Sequence, residues 1–574
     1  MATTYKTLQT EPAEPKAEPA APKAPPTQYT WEQIMFSHIW IIYCISFPDA
    51  YIGSKEYLQK LSTESVREIL ADPKVKRLMG SWDLVWGLAI FQFPDSGVND
   101  NTLYIAKYND NNPEKDTYVL SVAGTNMKSL YSILFEDCDL LSIKEWNNGK
   151  PWESPPSFEG SSEPSISSGF TKGLNTVFNK TKDSNGTLVI EALEKITSSS
   201  TKPIDLFVVG HSLAGTLAPL MSLSLFERQS EWNSSGTATL KGVYSLAGPT
   251  PGNLAFQEYY TSKIGDITQR LWCSLDIVPN GAKKEGMEAM AGLYEPDIPS
   301  TPLVEALCLG FNKTIERYNY QGVTPQEAYS GTVNNDFRLE NINKYPEVKE
   351  FLADQCAGMV LYVFLTTLQD VSDELEKIPL VGEVFAPLES ELQSIIKSAT
   401  FIVSKFFAEV IDEGVTANLI DRKIESVFED VLDHIGIPIP ISLVMSALPD
   451  GLISGDNIYH LMDWYMQFYY QHVDQYVAYY GVQELYDIKG KITSQVDARL
   501  GKEENKKQKA NTIVMNYGKA KEDDIEDLFN GEGKLLAKIS DTVAELKQSG
   551  KIEKTAQPLV VVVEKQKNVP GLCF

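Results

Sequence analysis

The stretch FVVGHSLAGTLA, Phe207 to Ala218, decides the fold because it combines a strand pattern, a tight turn and a helix pattern. The β-branched run ends at Gly210, and helix-forming residues follow Ser212. Such a turn accepts only small residues two positions before and after its serine, and Gly210 and Ala214 satisfy this requirement. Ser212 would then lie at the carboxyl end of a strand and at a helix N-terminus, where the helix dipole stabilises negative charge. The stretch predicts a serine nucleophile; the alternative is a serine that only caps the helix.

The segments around this stretch alternate between strand and helix patterns. Strand patterns occupy 81–91, 102–108 and 117–124, with a polar turn before the last of them. Strand patterns at 205–210 and 242–248 are each followed by a helix pattern, which begins at His211 in the first case and at Asn253 in the second. Such alternation indicates a parallel sheet with crossover helices, and therefore an α/β fold.

A serine nucleophile needs a base, and the chain has five histidines: His38, His211, His434, His460 and His472. His38 lies in an apolar run and is expected in the core. His211 adjoins the serine and would point in another direction. His434 ends a helix pattern, where a positive charge interacts favourably with the helix dipole. The last two belong to one aromatic helix pattern, about three turns apart. We take His460, at the transition from loop to helix, as the base and keep His472 as the alternative.

The base needs a carboxylate that holds its tautomer and stabilises its charged form. Asp276, in LWCSLDIVPNG, follows the strand that comes after the serine's own βα unit and the next βα unit. It is therefore expected at the same edge of the sheet as Ser212. The order Ser212, Asp276, His460 is the one expected for this architecture. Asp297, in YEPDIPS, is the reserve candidate, and an exposed loop carboxylate is its alternative reading.

Five motifs in one order resemble the class 3 lipases, a fungal-lipase-like family with the α/β-hydrolase fold. SVAGTN at Ser121–Asn126 resembles the family's oxyanion strand, GHSLAG at Gly210–Gly215 its nucleophile turn, and AGPTPGN at Ala247–Asn253 its G-x-P-x-x-GN segment. LDIVP at Leu275–Pro279 is similar to its acid loop, and HLMDWY at His460–Tyr465 to its histidine segment. The resemblance covers about 84–277 and a patch around His460.

The resemblance implies a serine carboxylic-ester hydrolase, of the triacylglycerol-lipase type, that acts on lipid-like esters through Ser212, Asp276 and His460. The backbone N–H groups of Thr125 and Leu213 would form the oxyanion hole. No metal or organic cofactor is expected, because a triad generates its own nucleophile. The second hypothesis is a catalytically inactive member of the same fold that binds a lipid or a protein.

The family pattern is not matched everywhere. Ala123 stands where the family has an arginine, and Ala214 stands where it has the second glycine of the turn. The segment 166–170 reads ISSGF, so the family's supporting histidine is missing. These differences concern the support of the site and leave the atoms of the triad in place.

Composition limits the partners. The 574 residues are 43% hydrophobic and exceed what one core usually holds, so more than one structural unit is expected. The net charge of −26 and pI near 4.7 disfavour nucleic acids and anionic lipids, which leaves neutral or zwitterionic partners, including neutral lipid interfaces. The six cysteines show no metal-ligand spacing and are expected to be buried free thiols. The oligomeric state stays unassigned.

Five regions are expected along the chain. Residues 1–28 are a disordered leader rich in Pro, Ala and Glu, and residues 29–300 are the first part of the α/β-hydrolase core. Residues 301–450 form a large helical insertion between the acid and histidine segments and are a candidate cap over the site. Residues 451–488 complete the core with the histidine segment, and 489–574 are a charged extension.

The apolar runs at 34–47 and 357–365 are shorter than the ~20 residues that cross a bilayer, so buried helices are expected and no transmembrane segment. Without a signal sequence the expected compartment is the cytoplasm, with signal-independent export as the alternative. The segment Met127–Trp146 has the apolar spacing of a mobile lid or of an ordinary packed helix.

Overall fold

A computed structural model describes residues 28–46, 51–92, 98–110, 112–124, 142–157, 162–281, 283–305, 320–375, 399–400, 402–435, 440–447, 451–511, 513–520 and 559–565. The chain divides into two compact units, Met1–Thr493 and Ser494–Phe574. The expected leader lies almost entirely outside the described residues, as do residues 127–141 of the lid candidate.

Nine strands are described in the first unit: β1 Trp82–Phe91, β2 Asn101–Tyr108, β3 Asp116–Ala123, β4 Ile143–Glu145, β5 Pro156–Ser157, β6 Ser165–Ser167, β7 Ile204–His211, β8 Ala238–Leu246 and β9 Thr268–Leu271. Six of them form one sheet in the order β1-β2-β3-β7-β8-β9, and β5-β4-β6 form a small antiparallel sheet. The first three strands of the large sheet pair antiparallel, and β3, β7, β8 and β9 pair parallel. The expected α/β-hydrolase fold is confirmed, with an antiparallel edge that the expectation of a parallel sheet did not include.

Helices connect and cover these strands. Before the helical insertion they are Trp31–Ile42, Lys55–Ala71, Pro73–Met79, Ser168–Asn179, Val189–Ser199, Leu213–Glu227, Gln229–Trp232, Leu254–Ile264, Ile277–Asn280 and Lys284–Met290. Short 3₁₀ turns lie at Tyr43–Ile45, Pro151–Glu153 and Gly265–Ile267. The last residues of the lid candidate, at Ile143–Glu145, form a strand and not a helix.

The parallel strands position the functional side chains. β3 and β7 are almost wholly buried along their lengths, which matches their near-continuous apolar sequences. Because β3, β7, β8 and β9 run in the same direction, their carboxyl ends meet at one edge of the sheet. The residues that follow those ends therefore come together there, although they are far apart in the chain.

The expected buried helices are present. Trp31–Ile42 is buried from Ile34 onward, and residues 357–361 are buried within the helix Pro346–Leu375. Within the described ranges, none of the helices combines the length and apolar character that a bilayer crossing requires. Cys44, Cys273 and Cys356 are buried free thiols, as expected.

The described helices of the insertion lie at 302–305, Pro346–Leu375, 402–413, Ala417–Ile435 and Ile441–Ala447. Residues 320–345 contain the 3₁₀ turn Leu339–Lys344 and isolated β-bridges at Gln321 and Tyr329. The rings of Phe364 and Phe428 stack 4.0 Å apart between two of these helices. The insertion also contacts the helix Gly455–Tyr469, where Phe351 and Tyr469 have ring centroids 5.3 Å apart.

Gly455–Tyr469 continues into a π-helical turn, Tyr470–Asp474, and the helix Gln475–Tyr480, and a further helix spans Gln483–Asn511. The second unit contains β10, Ile513–Ala520, and β11, Leu559–Lys565, which pair in parallel. β11 is the late β-branched run of the sequence.

Candidate active site

The turn between β7 and the helix Leu213–Glu227 holds Ser212 in an unusual backbone conformation, with φ 59° and ψ −131°. Such a conformation costs a non-glycine residue about 1–3 kcal/mol, so the surrounding structure must enforce it. The N–H of Ser212 donates to the carbonyl of Leu246 at 3.0 Å, and its own carbonyl accepts from the N–H of Gly215 at 2.7 Å. These two bonds fix the serine at the carboxyl end of β7.

Two glycines make this turn sterically possible. A Cβ on Gly210 would lie 2.1 Å from the carbonyl oxygen of Ala214, and a Cβ on Gly215 would lie 2.2 Å from that of Leu246. Neither distance is compatible with a side chain. The requirement for small residues around Ser212 is therefore confirmed, and it reflects backbone-to-backbone contact.

The imidazole of His472 lies between the serine and an acid. Its Nε2 is 2.9 Å from Ser212 Oγ, and its Nδ1 is 2.9 and 3.0 Å from the two carboxyl oxygens of Asp276. A carboxylate only accepts hydrogen bonds, so Nδ1–H donates to Asp276 and Nε2 is left to accept the serine proton. The structure thus joins Ser212, His472 and Asp276 in one chain of hydrogen bonds.

His460, the expected base, is not part of this chain of hydrogen bonds. It lies twelve residues before His472, about 18 Å along a helix at 1.5 Å per residue. Its ring packs edge-on against Tyr459, and its Nδ1 has no hydrogen-bond partner among the described residues. The expectation that His460 contacts Ser212 and Asp276 is corrected: the alternative, His472, makes both contacts, and no rotamer of His460 covers that distance.

The π-helical turn is the feature that sequence reasoning missed. The helix has one extra residue per turn around His472. Such π-helical turns are often found at functional sites, and no particular residue type predicts them. The pattern HLMDWY directed attention to His460 instead. The usable signal for His472 was its position on the same aromatic helix, which kept it as the second candidate.

Asp276 lies just before the short helix Ile277–Asn280 and is fully buried. Oδ1 accepts from the N–H of Val278 at 3.0 Å, and Oδ2 accepts from the hydroxyl of Tyr476 at 2.8 Å. With His472, three donors converge on this carboxyl group, which is an environment that suits a carboxylate. The structure brings Asp276 to the position expected from the sequence.

Asp297 is not part of this chain of hydrogen bonds. It is exposed, and its Oδ1 contacts the side-chain nitrogen of Asn335 at 3.5 Å. The loop reading of this residue is confirmed.

Of the two expected oxyanion donors, Leu213 is described and Thr125 lies outside the described residues. Leu213 begins the helix that follows the serine, and the first N–H groups of a helix have no partner within it. Gly124, at the end of β3, directs its N–H to the hydroxyl of Tyr43 at 2.9 Å. The end of β3 therefore lies beside the nucleophile turn.

Burial governs the protonation of the groups around the site. It lowers the pKa of His211 well below the usual range, with the neighbouring His472 as a second cause. Burial also raises the pKa of Tyr476 well above its usual range, and raises that of Cys273 to about 11. These side chains are therefore neutral near pH 7, and in this conformation Ser212 is only 3% exposed.

The arrangement can activate a serine hydroxyl. Within the described ranges, no three histidine, cysteine, aspartate or glutamate side chains lie close enough together to hold a metal ion. A buried serine, imidazole and carboxylate in hydrogen-bond contact are the parts required for nucleophilic acyl transfer.

Residues 141–285 match the family model described as lipase (class 3), and residues 500–571 match a family of unknown function, DUF6200. No curated protein matches the chain closely enough to count as a relative. Among solved structures, the M37 lipase is 24% identical with a TM-score of 0.46, and the match covers 56% of this chain and 93% of that one.

Two fungal structures are more distant. Lipase II from Rhizopus niveus is 17% identical with a TM-score of 0.29, over 45% of this chain and 77% of that one. The lipase from Rhizopus microsporus var. chinensis is 18% identical with a TM-score of 0.28, over 45% and 74%. The family match itself contains Ser212 and Asp276, whereas His472 lies beyond it.

Proposed function

We propose that the protein cleaves lipid-like carboxylic esters with Ser212, His472 and Asp276. The match of residues 141–285 to the class 3 lipase family, whose general chemistry is carboxylic ester hydrolysis, supports this proposal. The observation that carries the proposal is the continuous contact from serine to acid, 2.9 Å on each side of the His472 ring. All three side chains are buried, so each hydrogen bond acts in a medium of low dielectric constant.

In the first half of the reaction, Ser212 Oγ attacks the ester carbonyl and its proton passes to His472 Nε2. The tetrahedral intermediate collapses, the C–O bond to the alcohol breaks, and His472 returns the proton to the departing alkoxide. The acyl group remains on Ser212. Water then attacks this acyl-enzyme, with His472 again accepting and returning a proton, and the carboxylic acid leaves.

Asp276 assists by orientation. Its carboxylate holds Nδ1–H, which keeps Nε2 available as the base, and stabilises the imidazolium that forms after proton transfer. The N–H of Leu213 and that of Thr125 hold the oxyanion. Each such donor typically contributes about 100- to 1000-fold in rate.

The helical insertion acts as a cap that shapes acyl-chain access. Contacts between the insertion and the histidine-bearing helix support this role, including the N–H of Leu339, which donates to buried Asp463 Oδ1 at 2.8 Å. The net charge of −26 favours neutral or zwitterionic lipid substrates over anionic ones.

Ser212→Ala tests the nucleophile. We expect hydrolysis of p-nitrophenyl butyrate by the full chain to fall to the background rate, since the alanine has no attacking oxygen. Fluorophosphonate labelling should modify Ser212 in the wild type and disappear in the variant. A folded wild type that neither hydrolyses the ester nor reacts with the probe would instead support the inactive, binding member of the fold.

The substrate class is tested by rates on p-nitrophenyl esters of increasing chain length, with emulsified triglyceride and phosphatidylcholine alongside. A lipid-like substrate predicts rates that rise beyond the acetate ester. A monotonic fall from acetate onward would contradict it and identify a small soluble ester as the substrate.

A further inference from the structure

The hydroxyl of Tyr43 joins two elements of the site. It donates to the carbonyl of His211 at 2.9 Å and accepts from the N–H of Gly124 at 2.9 Å. His211 directly precedes Ser212, and Gly124 directly precedes Thr125. One buried oxygen therefore ties the residue before the nucleophile to the residue before the first oxyanion donor.

The side chain of His211 makes the next connection. Its Nε2 is 2.8 Å from the carbonyl of His472, and because a carbonyl only accepts, Nε2–H is the donor. The ring packs 4.9 Å from that of Trp40, on the same helix that leads to Tyr43. The carbonyl that receives this bond belongs to the π-helical turn, where the regular ladder of helix hydrogen bonds is interrupted.

We propose that Tyr43 and His211, together called the Tyr43–His211 bridge, are positioning residues that set the distances among the oxyanion strand, the nucleophile turn and the base. The inference rests on the proposed ester hydrolysis. Neither side chain hydrogen-bonds to Ser212 Oγ or His472 Nε2. Tyr43 acts through two backbone groups. His211 acts through the backbone carbonyl of His472 and through its ring, whose centroid lies 4.7 Å from that of the His472 ring.

Such a bridge is needed because the three connected elements are not neighbours in sequence. Gly124 lies 81 residues after Tyr43, His211 lies 168 residues after it, and His472 lies 261 residues after His211. A misplacement of about 1 Å among catalytic groups can reduce a rate by about 100-fold. Tyr43 also lies outside residues 141–285, so this support comes from a part of the chain that the family match does not include.

The chain offers a matched control in Tyr104. That tyrosine is also fully buried, and its hydroxyl contacts His38 Nδ1 at 2.8 Å and the carbonyl of His38 at 3.2 Å. Tyr104→Phe thus removes a buried hydroxyl of similar bonding without breaking any contact of the bridge.

The main experiment compares Tyr43→Phe and Tyr104→Phe in the full chain. We expect Tyr43→Phe to lower kcat for p-nitrophenyl butyrate by about 10- to 100-fold, with KM within about threefold of wild type, because ground-state binding does not use the oxyanion hole. Tyr104→Phe should change kcat by less than threefold even where both variants lose similar thermal stability. Equal kcat values for the two variants would overturn the role of Tyr43.

His211 is tested by two substitutions. His211→Leu removes the donor to His472, and His211→Gln retains an amide N–H at about the position of Nε2. We expect the leucine variant to lose most of kcat and the glutamine variant to recover at least tenfold of that loss. If His211→Leu and His211→Gln both fold and their kcat values equal each other, the His211 side chain has no positioning role.

Amide hydrogen exchange separates failure of the bridge from failure of the proposed function. The bridge predicts faster exchange in residues 118–124 of Tyr43→Phe and in residues 470–477 of His211→Leu, but not in residues 470–477 of His211→Gln and in neither segment of Tyr104→Phe. If the wild type is inactive but the variants show this exchange pattern, ester hydrolysis is refuted and the bridge is retained. If the wild type is active but the variants do not show this exchange pattern, the bridge alone is refuted.

Discussion

The nucleophile turn and the histidine segment meet at one site but are specified in different ways. In the turn, the backbone hydrogen bonds of Ser212 and the close approach of Gly215 to Leu246 involve only residues within a few positions or the neighbouring strand β8. In the histidine segment, the position of His472 depends on a helix that packs against the insertion and carries a π-helical turn.

This difference explains why the small residues of the turn were predicted correctly, whereas the histidine that contacts Ser212 was not. Sterics at a tight turn allow few residue types, so the pattern Gly210, Ser212, Ala214, Gly215 can be recognised from the sequence. A long aromatic helix carries two histidines with no local constraint that distinguishes them. Only the packing of the helix decides that His472, and not His460, faces Asp276.

The largest effect we predict tests this choice of base. His472→Ala should lower kcat/KM for p-nitrophenyl butyrate by about 10⁴-fold or more, because the serine loses the group that takes its proton. His460→Ala should stay within about threefold of wild type. A large loss in the His460 variant, with little change in the His472 variant, would restore the original assignment.

A second, smaller effect concerns the steric origin of the turn. Gly210→Ala should reduce the free energy of unfolding by about 3 kcal/mol, because its Cβ collides with the carbonyl of Ala214. The matched change Gly490→Ala, in a helix where nothing lies within 4 Å of the new Cβ, should be neutral or stabilise by up to about 1 kcal/mol. Urea unfolding curves of both variants measure the difference. Equal losses would show that the turn tolerates a side chain.

The smallest effect is a pH dependence that the nucleophile turn contributes through His211. Burial holds the pKa of His211 well below 6.5 in the folded state, so below pH 6.5 the unfolded chain binds a proton that the folded chain does not. Stability should therefore fall as pH decreases from 6.5, by about 1 kcal/mol per pH unit for this histidine.

His38 adds a similar contribution, since burial lowers its pKa to about 3. His38→Gln and His211→Gln should each flatten the decline in free energy of unfolding between pH 6.5 and 5, and the double variant should flatten it further. Urea unfolding at several pH values measures these slopes. Unchanged slopes would show that the two histidines are protonated in the folded protein.

By itself, the sequence determined the strands of the large sheet, the nucleophile turn and the acid, because each rests on short-range rules. Apolar runs of strand length predict β3, β7 and β8, and the direction of parallel strands predicts that Ser212 and Asp276 share an edge. The helical character of the insertion also follows from local periodicity, and the helix Ala417–Ile435 confirms it.

Only the tertiary structure decided which histidine lies between Ser212 and Asp276 and how the site is supported. The π-helical turn at Tyr470–Asp474 and the contacts of Tyr43 and His211 join residues that lie between 81 and 261 positions apart. Hydrogen bonds over such separations leave no periodic pattern in a single sequence. They form only when the whole core packs. Packing then sets which face of a helix points toward the site, and on this helix that face carries His472.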